Sequence, residues 1–145
     1  MIVVDVNVLV YAFRRESENF ETYHEWLRDA LSGPEAFAIV DHCLAGFVRI
    51  VTNPRIYDAP APTHLALEFV RRIRVARNAT PIAANSATWE LLGEWVSGDD
   101  RIVGNLVPDA FLAALAMSHG ARLATRDRGF ARYPGLKTFD PVTQG

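Results

Sequence analysis

Three aspartates sit where a carboxylate can do chemistry. Asp5 follows the apolar run of residues 1–4, Asp127 follows the short run 123–125, and Asp109 opens the Ala- and Leu-rich segment 110–116. Carboxylates held close together repel, and some would take up protons at neutral pH. A hard divalent cation removes that cost. Cys43 is the only cysteine, and the four histidines form no metal-binding motif. An oxygen-only ligand set therefore points to Mg²⁺ or Mn²⁺ rather than zinc. Such a site can activate water and stabilise charge on a phosphoryl group, so the expected chemistry is metal-assisted hydrolysis of a phosphodiester. Taken singly, Asp5 could be a turn residue and Asp109 a helix-start charge facing the dipole.

The elements that must position these acids alternate between strand and helix. The unbroken Ile/Val run before Asp5 reads as a central parallel strand buried on both faces. In open α/β sheets, ligands gather at the carboxyl ends of strands. Asn7 is expected to cap a helix from Val8 to about Arg14. Residues 19–31 follow a helical period, with Phe20, Tyr23, Trp26, Leu27, Ala30 and Leu31 on one face. Residues 36–40 read as a second strand with Asp41 directly after it, then a helix marked by Leu44, Phe47, Val48 and Val51. A helix is expected over 63–77, with Leu65, Phe69, Val70 and Ile73 inward, followed by a short strand or connection at 80–84. Ser86 is a plausible cap for a helix reaching Val96, with Trp89, Leu92 and Trp95 (or Leu91) buried. Pro108 suits the first turn of the helix that carries Asp109, and Gly120 suits its end. Residues 136–139 form a last, edge strand. The expected architecture is a three-layer α/β/α sandwich around a mostly parallel central sheet.

Length and composition fit a single domain over residues 1–145, with half the residues apolar. No apolar run is long enough to span a bilayer, and the N-terminus lacks the basic start of a signal peptide. One cysteine fits a reducing cytoplasm. The formal net charge of −2 argues against a protein that holds nucleic acid by a strong overall positive field. It does not exclude nucleic acid, because clustered carboxylates lower the sum and a bound cation restores it locally. Lys137 is the only lysine, and the other basic residues are arginines, which suit bidentate phosphate contacts.

Four stretches together resemble a PIN-domain ribonuclease, specifically a VapC-like toxin of a type II toxin–antitoxin pair. They are Ile2-Val3-Val4-Asp5-Val6-Asn7-Val8-Leu9, Gly46-Phe47-Val48-Arg49-Ile50-Val51-Thr52-Asn53-Pro54, Gly104-Asn105-Leu106-Val107-Pro108-Asp109-Ala110 and Leu123-Ala124-Thr125-Arg126-Asp127-Arg128-Gly129-Phe130. The resemblance spans essentially the whole chain. It implies a PIN-like fold, metal-dependent endonucleolytic cleavage of RNA, homodimerisation and inhibition by a cognate antitoxin protein. Carried over by position, Asp5, Asp109 and Asp127 match the family's catalytic, metal-binding acids, and Thr125 matches a residue beside the last acid that can help orient the site through its hydroxyl. Asn7 matches a neighbour of the first.

Two positions depart from the pattern. A Glu common on the helix after the second strand is Gly46 here, and an acid often found two residues after the last Asp is Gly129. Asp41 either supplies a replacement oxygen or caps the helix from His42. Arg126 and Arg128 could touch RNA phosphates, an antitoxin or solvent alone. Two other readings compete. The depleted site could make this a non-catalytic PIN-fold module that binds RNA or protein. A haloacid-dehalogenase-type phosphatase also begins with an apolar strand ending in Asp. That chemistry resembles one needing a second Asp where Asn7 stands and a Lys before the last acids.

Overall fold

The first strand is already committed by its side chains. Ile2 and Val4 point to one face of the sheet and Val3 to the other, and all three are buried. A strand apolar on both faces has to lie inside the sheet. In the computed structural model, which describes residues 1–143, it does. Strand β1 (Ile2–Val4) is followed by helices α1 (Val6–Phe13) and α2 (Phe20–Ser32), then β2 (Phe37–Ile39), α3 (Asp41–Val51) and α4 (Thr63–Arg74). The second half contains β3 (Ala79–Pro81), α5 (Ser86–Gly98), α6 (Leu106–Ser118), β4 (Arg122–Ala124), a 3-10 turn (Arg128–Arg132) and β5 (Thr138–Phe139). The strands lie in the order β3-β2-β1-β4-β5, and every pair is parallel.

The period of two in the strands divides the core between two layers of helix. Ile2, Val4, Phe37, Ile39 and Ala124 face α1 to α4, where they meet Val8, Leu9, Tyr23, Phe47 and Ile73. Val3, Ala38, Val40 and Leu123 face the other way, against Ala110, Ala113, Leu115 and Ala116 of α6. The alanines of α6 let that helix sit close on the sheet, and α5 packs outside it through Leu92 and Trp95. Burying each large side chain contributes about 1.5–3 kcal/mol, so both layers hold the sheet firmly. Gly120 takes φ +65° just past α6, the left-handed geometry a glycine allows at a helix end.

Several boundaries differ from expectation for identifiable reasons. Helix α1 begins at Val6, not after Asn7, because the Asp5 carbonyl already accepts from the Val8 and Leu9 amides. Asn7 is thus inside the first turn and is not the cap. Helix α4 stops at Arg74, and Asn78 ties the following turn to the Ala30 and Glu35 carbonyls. On α4 the buried stripe is Ala66, Val70 and Ile73, spaced four and three residues apart, which leaves Leu65 half exposed. On α5 the cap is Asn85 rather than Ser86: its side chain accepts from the Thr88 amide, and the Thr88 hydroxyl oxygen in turn accepts from the Asn85 amide. Thr88 also bonds the Ser118 hydroxyl of α6 at 2.7 Å, so it takes the inward position. Trp89 is turned out, 60 % exposed, lying against Phe111.

Candidate active site

Asp5 occupies the junction of β1 and α1. Its amide donates to the Ala124 carbonyl of the neighbouring β4, which carries the end of the ladder past the last strand residue. The side chain is free of capping duty and turns toward β4 instead, where the Thr125 hydroxyl donates to Asp5 Oδ2 at 2.7 Å. The same Thr125 oxygen accepts the Asp127 amide at 3.0 Å, and Asp127 Oδ1 accepts the Gly129 amide at 2.8 Å. One buried threonine therefore sets both strand-end acids. This follows from topology: β1 and β4 are adjacent and parallel, so their carboxyl ends share an edge.

Asp109 reaches the same edge from the first turn of α6. Asp109, Asp127, Gly129 and Phe130 line a cleft of about 180 Å³ together with Leu106, Arg132 and Tyr133. The three acids feel one another. Burial, with the charges of Asp109 and Asp127 adding to it, outweighs the pull of the Thr125 bond and raises Asp5 to about 6. Asp109 is raised by burial and then by the Asp127 charge, with Arg132 opposing. The buried Cys43 thiol is pushed to about 12, mainly by burial and then by Asp5 and Asp109, so it stays a protonated, unreactive thiol.

The donor chemistry at this edge fits a hard divalent cation. It is all oxygen, it carries like charges that repel, and Asn7 adds a buried side-chain oxygen with no hydrogen-bond partner among the described residues. The cage is not closed: among the described residues no three acidic, histidine or cysteine side chains stand close enough to hold an ion directly. Mg²⁺ commonly keeps several waters, which span such gaps.

The other candidates fall elsewhere. Asp41 is the exposed first residue of α3, preceded by Val40 at the cap position, so it is not the side-chain cap. Its charge acts on His42 and is not among those acting on Asp5. Arg126 pairs with Glu18 at 3.2 Å and lies over the Tyr11 ring. Arg128 is exposed at the start of the 3-10 turn. The arginine that lines the cleft is Arg132, which sequence reasoning passed over. Its signal was the buried Phe130 two residues earlier, which anchors the turn and brings Arg132 back toward the acids.

Comparison with known proteins adds to this geometry. The sequence profile of the family described as PIN domain matches residues 2–136. This chain belongs to the PIN-domain family. Among its relatives, ribonuclease VapC43 of Mycobacterium tuberculosis is 34 % identical over 142 residues, covering 98 % of this PIN domain and 96 % of that protein. Ribonuclease VapC25 of the same organism is 31 % identical over 141 residues, covering 97 % and 99 %. In fold, this PIN domain resembles a chain of the VapBC2 structure from Rickettsia felis, bound to a DNA fragment from its promoter, with TM-score 0.69 and 21 % identity over 97 % of this chain and 98 % of that one. No helix among the described residues is long and apolar enough to cross a membrane.

Proposed function

We propose that this PIN domain is a divalent-cation-dependent endoribonuclease and the toxin of a toxin–antitoxin pair. Its support is the convergence of Asp5, Asp109 and Asp127 on one sheet edge, with Thr125 bonded to both strand-end acids. The ribonuclease names of relatives matched over nearly their full length point the same way.

Asp5, Asp109 and Asp127 would hold Mg²⁺ or Mn²⁺, which when bound activates water and stabilises charge on the phosphate. The chain's own residues prepare that site. The Thr125 hydroxyl fixes one Asp5 oxygen, and the Gly129 amide fixes one Asp127 oxygen, so each carboxylate offers its other oxygen at a set angle. In the cation-free site burial raises the Asp5 carboxyl to about 6, so a falling pH works against cation binding by protonating it. Phe130 and Tyr133 wall the cleft and limit water on its sheet side. The proposed protein partners are an antitoxin, as in the VapBC2 assembly, and a second copy of this chain.

The test is cleavage of total bacterial RNA by purified protein freed of antitoxin. Discrete cuts in Mg²⁺ or Mn²⁺, absent in chelator and lost in Asp5→Asn, are expected. RNA binding that persists in chelator with no cuts in either metal would replace this reading with the non-catalytic binding module.

A further inference from the structure

The cleft at the acids does not end at Arg132. A second, larger cavity of about 520 Å³ opens on the other side of that side chain, and Arg132 and Tyr133 line both. Trp95 also lines the second cavity, its ring 4.8 Å from that of Tyr133. Arg132 itself is exposed and makes no ion pair among the described residues, though its charge is near enough to Asp109 and Asp99 to pull both carboxyls down. Asp99, in the same cavity, accepts from Nε and Nη2 of Arg101 at 2.8 and 2.9 Å, so its charge is largely answered.

We propose that this second cavity is a nucleotide subsite of the RNA-binding surface, with Arg132 holding the phosphate that joins its nucleotide to the one at the acids. The assignment rests on the ribonuclease reading above. An unpaired guanidinium between two clefts suits a bridging phosphate, because its planar fork matches two phosphate oxygens. Trp95, half-buried on Tyr133, offers a ring for an unstacked base, the usual way a single strand is gripped. The rim carries Glu94 and Asp100 as acceptors, which suit the amino edge of a base and disfavour a second phosphate there. The cavity therefore selects one splayed nucleotide on an RNA single strand, with its phosphate at Arg132 and its base inside.

The experiment uses Asp5→Asn protein, so that cutting does not obscure binding. A fluorescein-labelled single-stranded oligoribonucleotide of randomised sequence is titrated against it at several salt concentrations. Adding Arg132→Ala is expected to weaken binding about tenfold, the scale of one charge-assisted hydrogen bond. It should also reduce the slope of log affinity against log salt by about 0.7, one phosphate contact on a single strand. Arg132→Lys should keep the slope and part of the affinity. Trp95→Leu should weaken binding roughly tenfold with the slope unchanged, as expected for lost stacking. Arg74→Ala, on the opposite helical layer, is the control of equal charge. Unchanged affinity and slope in Arg132→Ala, in a background that binds RNA, would overturn the subsite. In the Asp5-intact protein, metal-dependent cleavage with an unaltered KM in Arg132→Ala would overturn it while leaving the nuclease reading intact. Arg132-dependent binding without cleavage would keep the subsite and sink catalysis. Absence of both binding and cleavage would overturn both.

Discussion

The Thr125 hydroxyl donates to Asp5 Oδ2 at 2.7 Å although 120 residues separate the two in the chain. Both groups are buried, and the same oxygen receives the Asp127 amide. Thr125→Val keeps the shape and removes the hydroxyl. It leaves a buried carboxylate oxygen and an amide short of a partner, which costs about 1–3 kcal/mol. It also deletes the bond that holds the Asp5 carboxyl down, so Asp5 should ionise at higher pH than in the parent. The expected result is a lower melting temperature and an activity profile whose acid limb moves to higher pH. An unmoved acid limb would show that Asp5 does not set it.

Asp5 carries a cost to the cation-free fold. Its carboxyl rises from the ordinary 3.8 to about 6, burial being the largest cause. A group raised on folding lends stability below its unfolded value and loses it as pH climbs through the folded one. From pH 4 to pH 6 the metal-free protein should therefore weaken, by at most about 3 kcal/mol for a shift of this size. Asp5→Asn can still accept the Thr125 bond and carries no charge. It should melt higher than the parent at pH 7–8 in chelator and gain nothing near pH 4. Denaturation curves at the two pH values check the sign: a variant less stable than the parent at pH 8 would contradict it.

A cation that binds the folded state alone stabilises it by mass action. Mg²⁺ or Mn²⁺ at pH 7–8 should raise the melting temperature of the parent, and chelator should reverse the gain. The rise should shrink in Asp5→Asn, in Asp109→Asn and in Asp127→Asn. Near pH 4 it should shrink in the parent too, because Asp5 is then protonated. Equal shifts in the parent and all three variants would place any bound cation elsewhere.

Much of this was legible because it rests on short-range pattern. The Ile/Val run before Asp5 could only be an inner strand, and Asp109 beside Pro108 had to begin a helix. What escaped depends on neighbours far along the chain. Asn7 looks like a cap by type, yet the helix starts at the strand end and Asp5 holds the cap position. Trp89 has the period of a core residue, but Thr88 takes the inward place through its bond to Ser118 on another helix. Arg132 lies five residues past the last acid, and only the turn around Phe130 returns it to the cleft.

The two missing acids make opposite predictions. A Cβ at Gly46 would meet only Val6 Cγ2, at an ordinary 3.7 Å, and Val6 adjoins Asp5. The first atom of a Gly46→Glu side chain therefore meets no clash, and the change removes a glycine from the interior of α3, which is worth roughly 0.5–1 kcal/mol in helix propensity. The added carboxylate should tighten cation binding in calorimetry and lower the metal concentration needed for half-maximal cleavage. At Gly129 a Cβ would stand 3.0 Å from Asp127 Oδ1, the oxygen that the Gly129 amide holds. Gly129→Asp must push that carboxylate aside and set a like charge against it. It should weaken cation binding despite adding an acid, and Gly129→Ala should share part of the loss. If Gly129→Asp instead matched Gly46→Glu, the fixed position of Asp127 would not be what the site depends on.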